Sequence, residues 1–158
     1  MDDVSFEKRR FDPAQNDALT DVMGRFAKAF GYTAEDLTIE PVLAQLLRLR
    51  VSQLGHCTYC MALHAQAARD IGATRAQVDT LSAWWETALY SDAQRAALAY
   101  CDVLTRQAET SARHTFQDVH DELAAHFSER EITDIAAIVI NMNAWTRLKM
   151  ASGEVPVS

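Results

Sequence analysis

The 158-residue sequence predicts an all-α, single-domain fold, and three observations carry that prediction. Its only prolines are Pro13, Pro41 and Pro156, so none interrupts the chain from Val42 to Val155. Capping-box patterns recur at Thr74–Gln77, Ser91–Gln94 and Ser128–Glu131, where a hydroxyl and an amide or carboxylate three residues later can exchange backbone hydrogen bonds. Finally, no run alternates apolar and polar residues long enough to read as a strand.

Taken in order, Asp12-Pro13-Ala14-Gln15 reads as a helix start, with Asp12 as N-cap and Pro13 in the first position. Val22, Phe26, Ala29 and Phe30 then recur at helical spacing up to Gly31. Pro41 opens a second helix with an apolar stripe of Leu43, Leu46, Leu47, Val51 and Leu54, leaving Arg48 and Gln53 off the stripe. Gly55 bends the chain, so Cys57 falls near the N-terminus of a third, central helix that buries Leu63, Ala67 and Ile71 and stops at Gly72. The capping boxes start helices over about 75–87, 92–108 and 129–150, and Phe116, Val119, Leu123 and Phe127 mark a shorter one over about 115–126. Residues 1–11 and 153–158 are expected to be loose.

Composition narrows the function. A net charge of −7 argues against nucleic acid and anionic membrane as partners. No apolar stretch approaches the roughly 18 residues of a membrane span, and the acidic start Met1-Asp2-Asp3-Val4 lacks the apolar core of a signal peptide. A cytoplasmic, reducing location follows as the expectation, and there a close cysteine pair points to redox chemistry or metal binding.

That pair lies in Gly55-His56-Cys57-Thr58-Tyr59-Cys60-Met61-Ala62-Leu63-His64. On a helix, Cys57, Cys60 and His64 share one face, and the free N–H groups of the helix start favour a thiolate. Cys60 is the candidate attacking sulfur because His64, one turn on, can take its proton. Cys57 is then placed to convert a sulfenic acid on Cys60 into a disulfide. Bland packing of two inert core cysteines is the competing reading. Zinc is a third, with Cys57, Cys60 and His64 joined by His56, His114, His120 or His126, although the chain has no second Cys-x-x-Cys. A thioredoxin-type site is excluded by the helical flanks. His56 could assist as a cation or proton relay. Cys101 reads as a small core residue, Trp84, Trp85 and Trp145 as packing or subunit contacts, and Asn141 and Asn143 as buried hydrogen-bonding groups or a pocket wall. No cofactor and no metal are expected.

The run Leu49-Arg50-Val51-Ser52-Gln53-Leu54, the Cys57/Cys60/His64 motif, Leu81–Thr87, Gln94–Tyr100 and Ile140–Leu148 together resemble the alkylhydroperoxidase D (AhpD)-like group of the carboxymuconolactone decarboxylase family, over about residues 40–150. The resemblance implies an AhpD-like helical bundle that assembles as trimers or dimers of trimers. It also implies thiol peroxidase activity in which Cys60 reduces a hydroperoxide, Cys57 resolves it, His64 relays protons and a lipoyl-bearing or thioredoxin-like dithiol protein restores the thiols. Two positions depart from the pattern. Gln45 stands where peroxidase members carry a relay glutamate, twelve residues before the first cysteine, and an amide cannot take the proton; Glu40 or Glu86 are the candidate substitutes. His56 replaces the usual small residue before Cys57. Members that decarboxylate a lactone lack the cysteine pair, so that reaction is not expected. The sequence therefore predicts a thiol peroxidase, with a redox sensor or thiol–disulfide exchanger of the same fold as one alternative and a non-catalytic or zinc-binding assembly protein as the other.

Overall fold

The computed structural model describes residues 5–107 and 113–157. Its order is β1 (Ser5–Lys8), α1 (Asp17–Phe30), α2 (Pro41–Leu54), α3 (Thr58–Asp70), α4 (Arg75–Thr80), α5 (Asp92–Thr105), α6 (Arg113–Ala124), α7 (Glu129–Ser152) and β2 (Glu154–Val157). The fold is a single-domain helical bundle, as the sequence predicts.

α2 is the axis of the bundle. It packs against α3, α5 and α7, and every residue from Leu43 to Ser52 is buried. Arg48 is therefore not on a solvated face: it is 2% exposed, because α3, α5 and α7 leave α2 no free side. Each polar side chain on this buried helix must find a partner or remain costly. Arg50 clasps Asp102 of α5 through two bonds of 2.6 and 2.7 Å, Ser52 Oγ donates to Arg48 O at 2.7 Å, and Arg48 donates to Phe30 O at 3.0 Å.

All three predicted capping boxes form, at Thr74, Ser91 and Ser128. Other boundaries move. Asp12 caps only a short 3-10 turn, Pro13–Gln15, and α1 starts at Asp17 behind a second cap, Asn16, whose side chain accepts from Leu19 N. The buried face of α1 centres on Met23, while Val22 is 54% exposed. Ile71 follows the end of α3 and is exposed.

The helix expected over 75–87 breaks at Thr80 into a 3-10 segment, Leu81–Glu86, kinked at Ala83. Arginines from the core helices take its carbonyls and the one just beyond it: Arg50 donates to Ser82 O, and Arg95 to Trp84 O, Trp85 O and, past the segment, Thr87 O. A carbonyl engaged this way competes poorly as a partner for an i+4 amide, so the α-helix is not extended.

The chain ends also differ from expectation. β1 and β2 pair antiparallel, with Phe6 opposite Pro156 and Lys8 opposite Glu154. α7 ends on Gly153 in the left-handed conformation, which returns the chain beside the N-terminal segment. Residues 1–4 and 158 lie outside the described residues. Among those described, no helix is long and apolar enough to cross a membrane.

Candidate active site

The turn between α2 and α3 sets the site. Gly55 lies so close to α7 that a Cβ there would meet the Thr146 side chain at 3.2 Å. The left-handed residue of the turn is His56, with φ 52°, rather than the glycine. The chain then extends at Cys57, which becomes the N-cap of α3 with its Sγ accepting from Cys60 N at 3.2 Å. The sulfur thus occupies the position usually taken by a serine or aspartate oxygen, where the helix N-terminus stabilises negative charge.

Cys57 and Cys60 are joined as a disulfide, with Cα atoms 5.3 Å apart. Both are nearly inaccessible, but their surroundings differ. Cys60 lines a cavity of about 230 Å³ together with His64, Asn141, Tyr59, Leu63 and Trp145; Cys57 lies off it. The cavity forms where α3 faces α7, with Ala27 of α1 and Gly31, which follows that helix, lining it from a third side.

His64 is 4% exposed. Its Nδ1 is 3.1 Å from Gln45 Oε1, and because an amide oxygen only accepts, Nδ1 carries the proton and Nε2 keeps its lone pair. Burial, reinforced by the Arg48 charge, pushes its pKa down to about 3, so the imidazole is neutral at physiological pH. Tyr32 stands edge-on to the ring, with centroids 6.1 Å apart. Among the described residues no hydrogen bond joins His64 to Cys60 in this oxidised state. Burial also lowers Arg48 to about 10, which leaves it charged at neutral pH.

Asn141 is wholly buried, and neither amide atom has a hydrogen-bond partner among the described residues. Asn143, two residues on, is spoken for: it donates to Thr105 Oγ1 and Val139 O and accepts from Arg147. One asparagine ties α7 to α5, and the other faces the cavity. Lys149 also lines the cavity, with Nζ 4.1 Å from the Tyr59 ring centroid and 2.6 Å from Glu154.

Several expected participants lie elsewhere. His56 is exposed and lines a separate cleft with Arg50, Gln53 and Arg147, away from the Cys60 cavity. Glu40 is exposed at the head of α2, and Glu86 is exposed at the end of the 3-10 segment, so neither replaces Gln45 beside His64. His126 meets Glu122, His120 sits on α6, and the side chain of His114 lies outside the described residues. Among the described residues no group of three or more His, Cys, Asp or Glu is arranged to hold a metal ion. Cys101 is a core thiol pushed up by burial, as its apolar flanks predict. Tyr32 and Lys149 are cavity residues that the motif does not reveal. The signal for Lys149 is the spacing Asn141, Trp145, Lys149, which puts all three on one face of α7.

A family model described as carboxymuconolactone decarboxylase family matches residues 20–102. YdfG of Bacillus subtilis (strain 168), itself uncharacterised, is 28% identical over 122 residues, which span 77% of this chain and 80% of that protein. A solved structure from Agrobacterium tumefaciens, of unknown function and bearing AhpD, an antioxidant defence protein, as its candidate identity, matches with a TM-score of 0.84 at 25% identity. It covers 96% of this chain and 100% of that one. The debrominase Bmp8 matches with a TM-score of 0.71 at 25% identity, covering 89% and 72%.

Proposed function

The chain belongs to the carboxymuconolactone decarboxylase family and has its AhpD-like fold; on that premise we propose that it is a thiol peroxidase working through Cys60 and Cys57. The observation that carries the reading is the asymmetry of the pair: Cys60 opens onto a cavity shared with His64, and Cys57 sits off it at the helix N-cap.

In the reduced protein the Cys60 thiol gives its proton to His64 Nε2, and the thiolate attacks the terminal oxygen of a hydroperoxide. An S–O bond forms, the O–O bond breaks, and the leaving alkoxide takes the proton from His64 to depart as an alcohol. Burial disfavours the imidazolium, so His64 is a fleeting carrier that surrenders the proton readily. The Cys57 thiol then attacks the sulfenic sulfur, forming the disulfide and releasing water. A dithiol protein, lipoyl-bearing or thioredoxin-like, returns both cysteines to thiols and leaves as its own disulfide. Without a carboxylate at position 45 the proton has no onward acceptor and shuttles only among Cys60, His64 and the leaving oxygen.

Gln45 also favours a second reading. The pair then serves as a thiol–disulfide exchanger or redox sensor in which Cys57, stabilised at the N-cap, is the better leaving group. The two separate on one experiment: mass spectrometry of the reduced protein after brief exposure to about one equivalent of organic hydroperoxide. Loss of two hydrogens mapped to Cys57–Cys60, absent in Cys60→Ser, supports the peroxidase. Persistence of both thiols, with the disulfide still exchanging rapidly with a dithiol, supports the exchanger.

Assembly as a homo-oligomer in the cytoplasm belongs to the same proposal. Val22, Trp85, Leu89, Ile140 and Met150 leave large apolar side chains exposed. Sedimentation showing only a 17.6 kDa species would overturn it.

A further inference from the structure

Resting on the peroxidase reading, we propose that Asn141 is the substrate-orienting group of the Cys60 cavity. Its amide grips both ends of the hydroperoxide function, within a cavity whose apolar walls suit the alkyl hydroperoxides of the activity proposed above.

The argument begins with an unpaid requirement. Both polar atoms of Asn141 are buried without a partner, which costs stability unless something completes them. The residue is 0% exposed, and it lines the same cavity as Cys60. A primary amide offers a donor and an acceptor side by side. A hydroperoxide presents the complement: its O–H can donate to Asn141 Oδ1, and its internal oxygen can accept from Nδ2–H. That internal oxygen becomes the alkoxide as the O–O bond breaks, so the Nδ2–H bond strengthens toward the transition state.

The remaining walls set the substrate class. Leu63, Met142, Trp145 and Tyr59 give an apolar lining, and hydrogen peroxide has nothing to place against it. The one cationic lining side chain, Lys149, is engaged by Glu154 and by the faces of Tyr59 and Trp145, so the cavity does not call for an anion. A cavity of about 230 Å³ exceeds the roughly 150 Å³ that admits benzene, leaving room for a ring with a few further atoms.

The test compares the wild type, Asn141→Leu and Asn141→Thr. Removing an orphaned amide from an apolar wall should not destabilise the fold, so Asn141→Leu is expected to melt at or above the wild-type temperature. Its rate of Cys60 oxidation by cumene hydroperoxide should fall by about 100-fold, the scale for losing one transition-state donor. Asn141→Thr, which keeps a hydroxyl, should fall less. Alkylation of Cys60 by iodoacetamide should be unchanged, since that reagent does not need the amide. The wild type should prefer cumene hydroperoxide to hydrogen peroxide, and the leucine variant should lose most of that preference. Equal peroxide rates in the wild type and Asn141→Leu, or a drop in iodoacetamide reactivity matching the drop with peroxide, would overturn the assignment. Binding of cumyl alcohol to the oxidised protein, followed by NMR titration, separates this inference from the reading beneath it. If no hydroperoxide oxidises the wild type yet the alcohol binds and Asn141→Leu weakens it at least tenfold, the Asn141 site stands and the peroxidase falls. Equal alcohol binding in both proteins sinks the site whatever the turnover.

Discussion

His64 Nδ1 lies 3.1 Å from Gln45 Oε1, so the histidine of α3 is held from α2 by a neutral amide. The contact fixes the tautomer but supplies no base. Gln45→Glu places a carboxylate against Nδ1, which raises the His64 pKa and gives the proton an onward acceptor. Peroxide oxidation of Cys60, followed by stopped-flow thiol titration, is expected to accelerate by about 10² or more, the lower end of what a positioned base contributes. An unchanged rate would place the bottleneck elsewhere. Gln45→Leu leaves the buried Nδ1–H unsatisfied and should cost about 1–3 kcal/mol of stability.

The depressed His64 pKa makes stability depend on pH in a defined direction. The unfolded chain takes up a proton at the ordinary value of 6.5, while the folded chain resists until about 3. Stability from this group is complete above 6.5 and is lost as pH falls between those limits, because only the unfolded state binds the proton there. Between about pH 7 and pH 5 the loss should be about 2 kcal/mol. Denaturant titrations of the wild type and His64→Gln at the two pH values read it directly: the wild type should lose about that much more than the variant.

Arg50 and Asp102 form a buried pair whose side chains are 4% and 17% exposed, and Trp84 Nε1 adds a third donor to Asp102 at 3.3 Å. Removing one partner strands a charge in the core. Asp102→Ala is expected to cost about 3–5 kcal/mol, whereas Arg50→Met combined with Asp102→Leu should cost much less. A double-mutant cycle by chemical denaturation would reveal the coupling, and additive losses would contradict it.

The terminal clasp bears on the site through Tyr59, which packs edge-on against Phe6 with centroids 4.5 Å apart. Phe6→Ala should destabilise the fold by about 0.5–1.5 kcal/mol beyond lost burial. Deleting residues 1–8 uncovers Tyr59 beside Cys60 and should speed reduction of the disulfide by a small dithiol. A truncated chain that is reduced at the wild-type rate would show that the clasp does not shield the pair.

Much of this molecule was legible in its sequence because the signals are local. Each capping box needs only four residues, and Pro41 and the helix periodicity of α2 need only one helix, so these elements stand where the sequence puts them. The spacing of Cys57, Cys60 and His64 assigns all three to one helix face, but Cys57 stands just outside α3 as its N-cap, and only Cys60 and His64 line the cavity. Tertiary packing decided what no window of sequence contains. It buried Arg48 by surrounding α2 on every side, and it turned the second half of one predicted helix into a 3-10 segment by sending Arg50 and Arg95 to its carbonyls. It paired chain ends that each lack a strand pattern, because a two-stranded ladder forms only when both partners are brought together. It sent His56 to a separate cleft, set Gln45 against His64, and left Asn141 unpartnered in the wall of the cavity that Cys60 and His64 also line. Burial and hydrogen bonding are relations between distant segments, and so it was the fold, not the motif, that gave the site its neutral histidine and its unpartnered amide.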